Sequence, residues 1–459
     1  MKAKRKMMST EYSCDRIELR NAKLMYILMS ALLIGDWVMP QYFGIHIGFD
    51  FTTTRTLNML ILAYFLFNRK AGNHFLKSML DVQLTPFLAA YMFVMVYTTV
   101  LRVNVNTFFL NFLDILTFYM VYYGIRYVIG VKKAIDWTVR FAAFISIYGI
   151  IEYILKFSPM AVFLRTLPSD TISGFRSGQF RIAGPCVHPI GYGMLLIFLI
   201  AIVCIDYDKD DIYIFKHPIV LALLLLNVFL TGSRGPLGIV GMEVFLLILF
   251  SKRISKKKTF IVMAAVIFFA VLFEIAIYNT SLGQYIMMQF TSVIDEVFGT
   301  SYSIKYGADL ELLNLSSGYR DNLTKVFTVE WLNPLIGQGA NAHVGFEFDG
   351  IYIKSIDNFY VALYIRYAYP GLITFVAIQV MSIVYMIRTA IKYKSSLCMV
   401  TAIAIFSYSV CLYWVDYLQT TKYMFIILAI YCAYYSEKFQ QIERKERKKY
   451  KVLEYRHIV

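Results

Sequence analysis

Between Leu226 and Gly241 the chain reads LNVFLTGSRGPLGIVG. Two lipid-soluble runs are joined by Thr231-Gly232-Ser233, after which Arg234 stands beside Gly235 and Pro236. Glycines let the backbone reverse tightly and approach a neighbour closely. Pro236 suits the first turn of a following helix, where its missing N–H is not needed. The stretch therefore reads as a tight hairpin between two helices that live in hydrocarbon, with one cation held at the bend. The start of the second helix carries a partial positive charge beside Arg234, so the bend is a place for an anion.

Working outward, the same character covers the whole chain. Of 459 residues, 59% are hydrophobic and only 16% charged, more apolar surface than a water-soluble domain can hide. A window of roughly 20 residues finds about twelve apolar segments, at 22–39, 51–67, 84–101, 108–128, 134–157, 189–205, 218–231, 234–250, 259–278, 358–388, 397–415 and 421–436. The predicted fold is an all-α polytopic membrane unit spanning 1–459 with no separate soluble domain. The segment 358–388 is long enough to tilt, kink or enter the membrane irregularly around Tyr369-Pro370-Gly371. The basic tail 1–21 is too far from the first span for an ordinary signal peptide, and WVMPQYF offers no small-residue cleavage site, so that span reads as an uncleaved anchor. Six cysteines and six histidines are scattered without paired or ligand spacing, which predicts neither a disulfide framework nor a metal site.

A net charge of +15 invites a nucleic-acid reading, but its distribution argues against one. The basic clusters NRKAGNHFLK, RYVIGVKK, SKRISKKK, IRTAIKYK and the tail 437–459 fall in alternate loops. That is the positive-inside pattern for an even number of spans with both termini in the cytoplasm. The acidic loop DYDKDDIYIFKH at 206–217 is a weak exception. Two loops on the opposite, outer side are long: 158–188, and 279–357 between the ninth and tenth spans. The second, roughly 80 residues, is well beyond ordinary connections and marks a functional segment. Helices are predicted there around QYIMMQFTSVIDEVF and over SGYRDNLTKVFTVEWL, the latter capped by Ser316 or Ser317.

On this outer side the notable cations are arginines: Arg102, Arg165, Arg176, Arg181, Arg234 and Arg320. A guanidinium stays charged and presents a planar fork suited to phosphate oxygens. Snorkelling to lipid headgroups is the competing account for each alone, though the hairpin around Arg234 is too tight for it. Asp36, Asp114, Glu152, Glu243, Glu274 and Asp416 fall within the outer parts of their segments. Ionisable groups in hydrocarbon face partners or wet cavities, so together they imply a polar cavity opening outward. Pairing with a nearby arginine to fix helix register is the alternative for each.

Four stretches in order resemble the O-antigen ligase and O-antigen polymerase family: RIAGPCVHPIGYG (Arg181–Gly193), TGSRGP with Arg234, YRDNLTKVFTVEWLNPLIGQGAN with Arg320 and Trp331, and DNFYVALYIRYAYPGL where the long loop re-enters the membrane. Together they cover about 181–375, while the first five segments match only in character. The resemblance implies a bacterial cytoplasmic-membrane glycosyltransferase using polyprenyl-pyrophosphate-linked sugars on the outer face. It implies that Arg234 and Arg320 hold the donor pyrophosphate, which makes them candidate catalytic residues. Arg181, Ser233, Gly235, Asn358, His343 and Trp331 are the further candidate substrate-binding positions. Family members often have His-Asn at re-entry, and here Asp357-Asn358 stands instead. A carboxylate of suitable pKa can act as general base, so Asp357 is the candidate catalytic group and the departure tilts the reading toward polymerase. Capping of the next helix is the alternative for Asp357. His188, before Pro189, reads as structural.

The expected activity is polymerisation of O-antigen, capsule or exopolysaccharide repeat units, joining one lipid-linked glycan to a hydroxyl of another. No metal, nucleotide sugar or other cofactor is expected. Membrane lipids, a chain-length regulator and a flippase are the candidate partners besides the glycan. A ligase acting on a different acceptor and a flippase of lipid-linked glycan are the rival readings; repeated halves and interrupted helices would favour the flippase.

Overall fold

Where no water is at hand, every backbone N–H and C=O must find a partner inside the protein, and for long apolar runs the helix is the local solution. The computed structural model describes residues 22–47, 49–103, 105–164, 174–176, 179–252, 279–308, 323–339, 346–348, 351–353, 356–416, 419–440 and 442. In chain order the helices are α1 (Ala22–Val38), α2 (Thr53–Phe67), α3 (Arg69–Leu80), α4 (Thr85–Arg102), α5 (Val105–Tyr123), α6 (Val131–Leu155), α7 (Pro159–Leu164), α8 (Pro189–Val203), α9 (Pro218–Leu230), α10 (Arg234–Leu249), α11 (Ser281–Phe298), α12 (Phe359–Tyr393), α13 (Ser396–Trp414) and α14 (Thr421–Lys438). A π-helical turn, Gly124–Ile129, continues α5. The only sheets among the described residues are four two-stranded hairpins, so the fold is all-α in substance. The segment 259–278 lies outside the described residues, and each of the other apolar segments coincides with a helix. Among the described residues five stretches are long and apolar enough to cross a membrane: Thr85–Arg102, Phe112–Ile129, Val131–Leu155, Phe359–Tyr393 and Ser396–Trp414.

Helix α8 is buried at every residue but Ile190, and α14 is buried from Tyr423 to Ser436. A helix apolar on all faces belongs at the centre, and α8 packs against α6, α9, α10, α13 and α14. Polar contacts fix these neighbours. The Tyr192 hydroxyl of α8 donates to Asn227 Oδ1 of α9 (2.9 Å), and Asn227 Nδ2 donates to the Ser146 carbonyl of α6 (2.9 Å).

Alternate connections gather at two ends. At the basic end Lys132 pairs with Asp208 (2.6 Å) and Lys216 with Asp206 (3.2 Å). Lys252 Nζ donates to the Asp210 and Lys394 carbonyls (3.0 and 2.7 Å). Asp210 Oδ1 accepts from the Ser396 and Leu397 N–H groups that open α13. The acidic loop that interrupts the basic pattern is thus the acceptor set that the basic connections grip. At the other, hairpin end, Gln41 joins Pro185 and Gln419, and the Phe359 N–H donates to the Val415 carbonyl (3.1 Å).

The long helix α12 breaks at Ala368, whose backbone is non-helical (φ 54°, ψ −161°), just before Pro370. This is the interruption expected from Tyr369-Pro370-Gly371. A proline lacks the N–H that Arg366 O would accept, and the break also frees Ile365 O and Tyr369 N–H. All three find substitutes in one segment of the long loop. Gln338 N–H donates to Ile365 O (2.8 Å), Gly339 N–H to Arg366 O (2.9 Å), and Tyr369 N–H to Pro334 O (3.1 Å). Arg102 at the end of α4 clamps the far side of that segment, with Nε on Gly337 O (2.7 Å) and Nη2 on Ile336 O (3.3 Å). Asn333 Oδ1 forms the turn by accepting from Leu335 and Ile336 N–H. The NPLIGQG motif is therefore the backbone patch on a broken apolar helix.

The approach is close enough to demand glycine. A Cβ on Gly337 would lie 2.1 Å from Arg366 O. Gly337→Ala is expected to destabilise the protein by about 1–3 kcal/mol or to prevent its folding, whereas Gly235→Ala, with no atom near its Cβ position, leaves stability nearly unchanged. Unfolding of the detergent-solubilised variants checks both.

Candidate functional site

The bend that opens the hairpin sits at the junction of three segments. Gly232 turns the chain with φ +56°, and Thr231 Oγ1 closes the end of α9 by donating to Val228 O (2.7 Å). The buried Arg181, last residue of a short strand (Gln179–Arg181), reaches in from the connection between α7 and α8. Its Nε donates to Thr231 O (2.8 Å) and its Nη2 to Ser233 Oγ (2.7 Å), while that hydroxyl donates on to Thr231 O (3.2 Å). Ile182 N–H adds a bond to Leu230 O (3.3 Å). Arg181 is thus the strut of the bend, and Ser233 has its hydroxyl engaged within it.

Ser233 is the N-cap residue of α10, yet its side chain makes no cap bond. The first turn of α10 carries Arg234, partly exposed, and Gly235, whose Cβ position is open, and Ser233 places no side-chain oxygen over its N–H groups. An uncapped helix start beside two guanidinium groups suits an oxyanion. Over this bend lies α11 from the long loop. Tyr285 packs against Phe229 (ring centroids 5.6 Å) and near the Gly232 position, and Val293 packs against Gly238 of α10. So the long loop does return to the hairpin, through the amphipathic helix expected there.

Helix α11 is pinned at its end by Asp295, which accepts from Thr300 Oγ1 (2.6 Å), Tyr302 N–H (2.7 Å) and Ser303 N–H (2.7 Å). Burial opposes the charge of this carboxylate, but these donors outweigh it and hold its pKa below the ordinary range. The first part of the second expected loop helix, 317–322, lies outside the described residues; Leu323 is helical and a 3-10 turn follows at Thr324–Thr328. Val329 is extended, so the chain has left the helix before Trp331. Trp331 is half exposed. At re-entry Asp357 is exposed, and the cap of α12 is Asn358, whose Oδ1 accepts from Val361 N–H (3.1 Å). His188 caps α8, its Nδ1 accepting from Ile190 N–H (3.1 Å). Arg320, His343, Arg165 and Glu274 lie outside the described residues.

The carboxylates do not line one outward cavity. Glu152 is fully enclosed and accepts from Ala183 N–H (3.1 Å) and Gly184 N–H (2.8 Å), holding the turn after Arg181. Asp416 faces Arg366 of α12 at 3.9 Å. Glu243 lies about 13 Å along α10 from Arg234 by helical rise, enclosed and within electrostatic reach of Cys204 near the basic end. Glu243 therefore lies past the middle of α10, away from the hairpin end. Asp36 and Asp114 belong to a separate cluster with Lys422, a residue that sequence reasoning passed over. The signal was a lone lysine opening an apolar segment in QTTKYMF.

Compared with protein-family models and with curated proteins, the chain matches none of them. The reading of the site rests on its motifs and geometry.

Arg181→Lys keeps the charge but loses the planar fork. It is expected to weaken the hairpin by about 1.5–3 kcal/mol for each charged hydrogen bond lost, more than Ser233→Ala, as read by denaturant unfolding. Because the Asp295 pKa is depressed, its contribution is fully present above the unfolded value near pH 4 and is lost as pH falls through the folded value. Amide protection over 295–303, measured against the intrinsic exchange rate at each pH, is expected to stay high at neutral pH, fall below about pH 4, and be low and pH-independent in Asp295→Asn.

Proposed function

We propose that the protein is a polymerase of surface polysaccharide repeat units, acting on polyprenyl-pyrophosphate-linked glycans. In this reading the chain crosses the cytoplasmic membrane about twelve times, counting 259–278. The basic end and both termini face the cytoplasm, and the hairpin end faces outward. The observation that carries the reading is the uncapped start of α10 at Arg234, braced from below by buried Arg181 and roofed by α11. A rigid cationic seat at one end of an apolar bundle suits a diphosphate whose lipid tail lies in the membrane.

The donor pyrophosphate sits against Arg234 and the α10 start, with Arg320 as the second cation. The acceptor hydroxyl attacks the donor's anomeric carbon, forming the new C–O bond as the bond to the pyrophosphate oxygen breaks. The hydroxyl proton passes to Asp357, and polyprenyl pyrophosphate leaves with the electron pair. Because the leaving group is already activated, positioning and charge neutralisation supply most of the rate. A ligase uses the same donor seat with a different acceptor.

The interruption of α12 supports a second reading, a flippase of the same lipid-linked glycan, since broken helices with nearby charges are a transporter feature and Arg366 and Asp416 lie at this one. A flippase forms no glycosidic bond. Purified protein given lipid-linked repeat units is expected to make chains of two or more units. Arg234→Ala, Arg320→Ala and Asp357→Ala are each expected to lower chain formation about a hundredfold or more, the scale of losing a transition-state or proton-transfer group. Undiminished long chains on a gel in all three variants would end the proposal, and transport without bond formation would favour the flippase.

A further inference from the structure

Helix α11 is folded inside out. Among its described side chains the exposed ones, Phe290, Ile294, Val297 and Phe298, are all large and apolar. The buried ones, Gln289, Thr291, Ser292 and Asp295, are all polar. Spacings of four, seven and eight residues put the apolar four on one stripe about 100° wide. A helix that borders water shows the opposite arrangement. Three of the buried polar groups are satisfied at short range, so facing inward costs them little. Thr291 Oγ1 donates to Met287 O (2.6 Å) and Ser292 Oγ to Met288 O, while the Asp295 carboxylate accepts from the turn that follows.

The stripe also sits at a definite depth. The apolar segment 259–278 ends two residues before Thr280, the N-cap of α11. Tyr285, in the second turn, lies by Gly232 at the bend, and Val293 packs against Gly238. Gly238 is four residues into α10, about 6 Å along its axis from Arg234. Helix α11 therefore lies beside the apolar helix and not over its tip. Amphipathic helices at the boundary of headgroups and acyl chains bury their apolar face about 5–10 Å deep, which matches that offset. The 3-10 turn Tyr302–Tyr306 packs back on α11 and exposes Tyr302 and Lys305, with the Lys305 ammonium 5.7 Å from the centre of the Tyr306 ring. Aromatic rings with a polar edge, and lysines, gather at headgroup level. The chemistry thus passes from acyl chain to headgroup across one helix and the turn after it.

Water is a poor occupant for such a stripe, since it gains nothing from four large apolar side chains. A protein partner reads a surface through hydrogen bonds as well as shape, about one for every 100–200 Å², and none of the four side chains can make one. Acyl chains need no such feature. We propose that the exposed face of α11 is seated in the phospholipid acyl chains of the leaflet at the hairpin end. This part of the long loop is then an in-plane membrane helix, and the roof of the bend is held at its level by lipid on one side and by Tyr285 and Val293 on the other. The proposal is independent of the glycosyl-transfer reading and applies equally to a flippase.

The test uses the full chain in vesicles of phosphatidylethanolamine and phosphatidylglycerol, with a nitroxide on one introduced cysteine at a time. Ile294→Cys, at the centre of the stripe, decides the outcome. Phe290→Cys and Val297→Cys take its place if monodispersity and thermal unfolding show that it fails to fold. Two agents relax the label: molecular oxygen, which concentrates in hydrocarbon, and a water-soluble nickel chelate. Phe93→Cys, exposed on α4 within a stretch apolar enough to cross a membrane, gives the hydrocarbon reference. Lys209→Cys, exposed at the basic end, gives the water reference. Native protein labelled in parallel gives the background from its own cysteines. Relaxation at Ile294 is expected to be dominated by oxygen, as at Phe93, and relaxation at Lys209 by the nickel chelate. Nickel dominance at Ile294 would overturn the proposal and put this face in water. Shielding from both agents would also overturn it, since protein, either a second copy or another segment of this chain, would then cover the stripe.

Discussion

Irregular backbone among apolar helices survives only if other groups replace the hydrogen bonds it has lost. That constraint shapes the hairpin end of this protein more than any side-chain chemistry. Three irregular places occur there: the bend at Thr231–Ser233, the turn at Ala183–Val187, and the break in α12 at Ala368. Each is closed by a long-range donor or acceptor: Arg181 for the first, Glu152 and Gln41 for the second, Gln338 and Gly339 for the third. Remove the buried Arg181 or Glu152, and a carbonyl or N–H is stranded away from water, at about 1–3 kcal/mol for each group.

This explains why charged residues that look alike in sequence have different tasks. Arg102, Arg181 and Arg234 all stand at the ends of apolar runs on the same side. Arg102 and Arg181 have their forks committed to backbone carbonyls or to a buried hydroxyl. A guanidinium held in this way is a structural cation, and its worth to a ligand is indirect: it makes the neighbouring helix start rigid before anything binds. Arg234 occupies that start. Glu152 shows the same division among the acids, since a carboxylate gripping two N–H groups of one turn has little capacity left for a substrate.

The helices were legible because their cause is local. Long apolar runs bounded by glycine, proline and basic clusters name their own limits, and Pro370 announced the break in α12 through its missing N–H. What mends that break was not legible. Pro334 and the Gln338-Gly339 pair lie some thirty residues before it, and nothing local says that their N–H and C=O groups face Ile365, Arg366 and Tyr369. Within GQG, Gly337 is required by its backbone contact with Arg366. The acidic segment 206–211 looked like a flaw in the basic pattern for the same reason: its lysine partners come from α6, from the loop after α10 and from its own connection. Arg320 and His343, both central to the sequence reading, lie outside the described residues, so the candidate site is drawn from the hairpin, α11 and the re-entry point alone.

The two polar regions at the hairpin end are held in different ways. At the bend, Arg181 braces the chain before α10 with its guanidinium, and Arg234 stands in that helix's first turn. Where α1, α2 and α14 meet, Asp36 accepts from Thr54 and the Trp37 ring stacks on Tyr423. The turn Ala183–Val187 lies between them, gripped by Glu152 on one side and by Gln41 on the other. Its hydrogen bonds fix the spacing of the two regions, because displacing either end strands a buried donor or acceptor.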